Sequence, residues 1–90
     1  MSAVCLHGYV SGRVQGVWFR QSTKLQAEES NVSGWAKNLP DGRVEVMLCG
    51  EEEDVRRVEA WLYKGPSHAQ VTQVSVGYED WQGFPDFETY

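Results

Sequence analysis

Apolar positions recur along this chain first at a spacing of two, then at three to four, and each change of period marks a new element. Residues 3–11 alternate, with Val4, Leu6 and Val10 on one face and Cys5, His7 and Tyr9 on the other, which predicts a strand. Residues 20–30 predict a helix with a thin stripe of Phe19, Thr23 and Ala27, and Leu25 falls off it. Alternation returns over 32–38, where Val32, Gly34, Ala36 and Asn38 share a face. It continues over 43–49, where Val44, Val46 and Leu48 point inward. Pro40, Asp41 and Gly42 are turn residues, so these two strands form a hairpin. Residues 51–64 are the clearest helix, with Val55, Val58 and Leu62 at helical spacing, Trp61 alongside, and Gly65-Pro66 to end it. A strand at about 70–79 carries Val71, Val74 and Val76, and the tail Phe87 to Tyr90 adds a last edge pairing.

The order β-α-β-β-α-β is the split-βαβ, ferredoxin-like arrangement of the α+β class. Two helices cover one face of an antiparallel sheet and leave the other open. Ninety residues make one domain, 1–90, without repeats or linkers. The apolar stretches are strand-sized and the N-terminus lacks a basic segment followed by an apolar one. Neither a membrane span nor a secretory signal is therefore expected, and the location expected is cytoplasmic. A net charge of −5 argues against nucleic acid and anionic membranes as partners. Glu51, Glu52, Glu53 and Asp54 are read as a solvated first helical turn, where carboxylates complement the helix dipole. His7, His68, Cys5 and Cys49 have no zinc-ligand spacing, so no metal site is expected. Trp35, Tyr9 and Met47 alternate onto the open face as a surface apolar cluster, and Trp61 is read as core.

The stretch Gly12-Arg13-Val14-Gln15-Gly16-Val17-Trp18-Phe19-Arg20 carries the chemistry. Two glycines bracket a short turn and permit positive φ, so that successive N–H groups face inward and make an anion site. A helix starting just beyond adds its own unpaired amides. Arg20 brings a planar fork for phosphate oxygens. The stretch is neither a Walker loop nor a G-x-G-x-x-G motif. A glycine-containing strand-to-helix turn with a surface arginine is the plainer alternative. Arg13, Lys37 and Arg43 are further cations available to make the pocket positive.

A second stretch, Gly34-Trp35-Ala36-Lys37-Asn38-Leu39-Pro40-Asp41-Gly42 followed by Arg43, Val44 and Glu45, gives the first its context. Together they resemble the acylphosphatase family, in which a glycine-bracketed turn ends in Phe-Arg and a Gly-x-x-x-Asn-x-x-x-Gly segment leads into a strand. The resemblance runs from Val4 to Tyr90. It implies the ferredoxin-like fold with sheet order 4-1-3-2 and supports the helix that the thin stripe only suggests. It also implies hydrolysis of the carboxyl–phosphate bond of small acyl phosphates to a carboxylate and inorganic phosphate, with no metal, cofactor or covalent intermediate. In that scheme Arg20 and the backbone amides of Val14, Gln15, Gly16, Val17 and Trp18 hold the phosphoryl group, and Asn38 orients the attacking water. A monomer is expected. The recognised group is the phosphate, and the acyl part is left unnamed.

Sheet order 4-1-3-2 makes the first and third strands antiparallel neighbours, with Cys5 beginning one and Cys49 ending the other. A one-to-one register that opposes Cys5 and Cys49 would also oppose Gly12 and Gly42. Opposed residues lie within disulfide range. Proximity favours a bridge, and a reducing cytoplasm opposes it. The competing function, from another class, is a non-catalytic ferredoxin-like module that binds an anionic ligand or a protein partner. An intact Arg20 and Asn38 speak against it.

Overall fold

The structure is a computed structural model and describes residues 2–90. Its elements are β1 (Ala3–Arg13), α1 (Phe19–Glu29), β2 (Ser33–Asn38), β3 (Val44–Glu51), α2 (Glu52–Leu62), β4 (Gln70–Glu79) and β5 (Phe87–Thr89). The sheet order is β4-β1-β3-β2-β5. The expected order 4-1-3-2 is present, and the tail extends it. Because β5 runs parallel to β2, pairing Gly34 with Phe87 and Ala36 with Thr89, the sheet is mixed rather than wholly antiparallel.

Leu6, Val10, Val44, Val46 and Leu48 of the central strands pack against Phe19 and Ala27 of α1 and against Val55, Val58 and Leu62 of α2. Burying each of these valine, leucine and phenylalanine side chains stabilises the fold by about 1.5–3 kcal/mol relative to leaving it in water, and Ala27 contributes less. The thin stripe of α1 is sufficient because its one polar member is satisfied: Thr23 is buried and its hydroxyl donates to the Phe19 oxygen at 2.8 Å. Phe19 also meets Trp61 of α2, ring centres 5.7 Å apart, which anchors the first turn of α1. Trp61 is half-buried at the edge of the core rather than inside it. α2 stops at Leu62, before the expected 64, where the Gly65 amide turns back onto the Trp61 oxygen at 2.9 Å.

β1 runs past its expected end at 11, because β4 continues to pair with it through Gly12 and Arg13 across a bulge at Ser11 and Gly12. A Cβ on Gly12 would lie 2.1 Å from the Gln70 oxygen, so only glycine admits this approach of β4. Between β1 and β3 the register is one-to-one from Ala3↔Glu51 through Cys5↔Cys49 to Val10↔Val44. The ladder ends there, so the expected opposition of Gly12 and Gly42 is not part of it.

Cys5 and Cys49 are joined by a disulfide, their Cα atoms 4.1 Å apart. The face that carries them is not fully open as expected. β4 and β5 lie at opposite edges of the sheet, so the chain between them must cross it, and it does so on the side away from the helices. Phe84 packs over Cys5, Met47 and Cys49, and the Gln82 amide donates to the Cys5 sulfur at 3.3 Å. The disulfide is thereby buried.

Candidate active site

The loop between β1 and α1 takes its shape from two valines. Val14 and Val17 are buried in the core, and Gly16 between them turns at φ +73°. Gln15 is held from outside: its Nε2 donates to the Leu39 oxygen at 2.8 Å and the Arg43 oxygen at 3.0 Å, tying the loop to the β2–β3 hairpin. Trp18 follows at φ +65°, a left-handed conformation that costs a non-glycine residue about 1–3 kcal/mol. Its carbonyl accepts the first helical bond, from Ser22 at 2.9 Å, so α1 begins directly behind the loop. No side chain caps that end. The amides of Phe19, Arg20 and Gln21 have no intrahelical partner and lend the end a partial positive charge.

The helix end opens on a cavity of about 370 Å³, lined by Val14, Gly16, Trp18, Phe19, Arg20, Gln21, Asn38 and Thr89. The cavity thus brings together Arg20, Asn38 and three of the five loop residues expected there. Gln15 and Val17 belong to the loop without lining the wall, one bonded to the hairpin and the other packed in the core. Arg20 Nη1 donates to the main-chain oxygen of Tyr90, just beyond β5. Asn38 ends β2 on the helix side of the sheet. Its Oδ1 is buried with no hydrogen-bond partner among the described residues. An unpaired buried acceptor costs about 1–3 kcal/mol, which is what a group kept ready for a ligand would show. The arrangement can hold a tetrahedral oxyanion by amides and a guanidinium, with a hydrogen-bond acceptor at its side.

The other cations proposed for the pocket are not on its wall. Lys37 lies 3.7 Å from Glu45, and Arg43 bonds Asp41 at 2.8 Å while stacking over Tyr9. The Arg43 amide and guanidinium hold the Asp41 carboxylate below the usual carboxylate range. The positive character of the cavity therefore comes from Arg20 and the helix end. His7, on the opposite face of the sheet, is 2.6 Å from Glu45. Among the described residues no group of three or more His, Cys, Asp and Glu is arranged to hold a metal ion, and no helix is long and apolar enough to cross a membrane.

Thr89 and Gln21, both on the cavity wall, were not singled out from sequence, whereas the unpaired amides of the helix behind the loop were. Thr89 had one signal, its place two residues from Phe87 in an alternating tail, but only the pairing of β5 with β2 brings it to the cavity.

The family model for acylphosphatase matches residues 6–89. The chain is 52% identical over 87 residues to a protein named Acylphosphatase from Pseudomonas paraeruginosa, covering 97% of this chain and 96% of the other. A protein of the same name from Legionella pneumophila is 50% identical over 84 residues, with 90% and 92% covered. The structure of an acylphosphatase from Coxiella burnetii superposes with a TM-score of 0.94 at 40% identity, covering 98% of this chain and 93% of that one.

Proposed function

The chain belongs to the acylphosphatase family, and from that premise we propose how its residues divide the hydrolysis of a carboxyl–phosphate bond. The protein is an acylphosphatase, a hydrolase that converts an acyl phosphate to a carboxylate and inorganic phosphate. In our reading the phosphoryl group rests in the loop and against the amides at the start of α1. Arg20 grips two of its oxygens, where planar bidentate geometry matters.

Water then attacks phosphorus from the side opposite the leaving oxygen. Asn38 Oδ1 accepts a hydrogen bond from that water and so holds a lone pair toward phosphorus. The carboxylate that departs is stable without a proton, so the step needs no strong general acid. Charge that develops on the equatorial oxygens meets donors already in place, and catalysis is positioning plus electrostatic stabilisation. Within this reading the enzyme works as a cytoplasmic monomer without metal or cofactor. A formal charge of −5 argues against a nucleic-acid partner, and a small anion must find the local positive end of α1 and Arg20.

The observation that carries the reading is the unpartnered Oδ1 of Asn38 on the same cavity as Arg20. The test is the hydrolysis of benzoyl phosphate with EDTA and with added Mg²⁺, and inhibition by inorganic phosphate. We expect equal rates in both and competitive inhibition. Loss of activity in EDTA with recovery in Mg²⁺ would overturn the metal-free scheme, and phosphate binding without turnover would favour the non-catalytic module.

A further inference from the structure

We propose that Trp18 selects the acyl group of the substrate, favouring flat apolar groups such as an aromatic acyl over small ones such as acetyl. The proposal rests on the acylphosphatase reading above and deepens it, because the phosphate-holding groups are common to every acyl phosphate.

Three observations carry it. Trp18 lines the cavity and is 78% exposed, so most of the indole is open to solvent. The other apolar residues on the wall, Val14 and Phe19, are buried and present almost no apolar surface of their own. Trp18 also stands at φ +65°, where glycine would sit without strain, yet the largest side chain occupies it. Lone exposed apolar residues are ordinary on protein surfaces. This one is set apart by its place on the wall of the cavity that holds Arg20 and Asn38.

The geometry of the substrate supplies the rest. One bridging oxygen separates phosphorus from the acyl carbonyl carbon, so a phosphoryl group seated in the loop leaves the acyl part just outside it. The cavity of about 370 Å³ exceeds what a phosphate alone fills. An acyl group leaving the phosphate-binding end therefore passes the rim, where the indole is the apolar surface available to it. An aromatic ring can lie against the indole and remove apolar area of both from water, whereas a methyl group covers little of it. Contact of this kind in a partly open site is worth roughly tenfold in kcat/KM.

The experiment compares kcat/KM for benzoyl phosphate and acetyl phosphate in the wild type, Trp18→Gly and Trp18→Phe, using the ratio of the two substrates as the readout. Glycine accepts the positive φ, so Trp18→Gly is expected to fold, and the ratio cancels any change in the amide cradle that both substrates share. We expect the benzoyl-to-acetyl ratio to fall about tenfold in Trp18→Gly and to stay within a few-fold of wild type in Trp18→Phe. A ratio unchanged in Trp18→Gly, or both substrates slowed alike, would overturn the assignment. Failure of the wild type to hydrolyse either compound would refute the acylphosphatase reading itself, a separate outcome.

Discussion

Gln15 donates from Nε2 to the main-chain oxygen of Arg43 at 3.0 Å and, with the same nitrogen, to that of Leu39 at 2.8 Å. This side chain of the β1–α1 loop thus closes the turn that follows Asn38, while the Leu39 amide bonds the Arg43 oxygen at 2.8 Å within the turn. The loop and the asparagine, from different elements, are held in one frame.

Gln15→Ala should loosen that frame more than it unfolds the protein. Two hydrogen bonds are lost, each worth about 0.5–1.5 kcal/mol net, so the melting temperature should fall by several degrees. Turnover should fall at least tenfold even at temperatures where the variant is fully folded, because small displacements of positioned groups are expensive in rate. Melts and steady-state kinetics on the same sample check this. Unchanged kinetics would mean that burial of Val14 and Val17 alone sets the loop.

Arg20→Lys keeps the charge and loses the fork. A single ammonium cannot make two parallel bonds to phosphate oxygens, so kcat/KM should drop on the order of 10²–10³-fold. The inhibition constant of inorganic phosphate should rise with it. Near-wild-type kinetics would remove Arg20 from the proposed role.

Asn38→Ala separates positioning from folding. If the amide holds the attacking water, kcat should fall on the order of 10²-fold or more while phosphate inhibition stays close to normal. If Asn38 matters only as a residue before a turn, stability should fall and the folded fraction should keep its activity. Removing the unpaired buried acceptor takes away a cost to the fold, so the variant should be no less stable than wild type.

Reduction of the Cys5–Cys49 bridge should lower stability without slowing the chemistry. The bridge spans 44 positions of sequence. In the chain-entropy model such a loop corresponds to about 4 kcal/mol, with any native strain subtracting from it. For a domain of this size we expect a melting temperature lower by about 10 °C or more in reductant. The disulfide lies on the face of the sheet away from the helices, so kcat at moderate temperature should stay unchanged. Equal melts of verified oxidised and reduced protein would refute the stabilising part.

Much of this site was legible in the chain alone, because its determinants are local. Strand alternation assigns faces by a period of two, and a slip of one residue would turn Leu6, Val10, Val44 and Val46 out of the core, so the face shared by Cys5 and Cys49 was readable; a slip of two keeps every face, and their direct opposition was decided by the structure. Gly16 and Arg20 were readable because a positive φ and a planar fork each demand one residue type. What tertiary structure decided are relations between segments distant in sequence. The helix-free face is covered because β4 and β5 occupy opposite edges of the sheet, and no local period encodes where a connection must cross. Thr89 reaches the cavity only through β5's parallel pairing with β2. Lys37 alternates onto the face of β2 opposite Asn38, where it meets Glu45, and Arg43 is held by Asp41 and Tyr9, so neither lines the cavity. Trp18 stands at the rim because Val17 before it and Phe19 after it are both drawn into the core, and the chain between them has only the solvent side left for the indole.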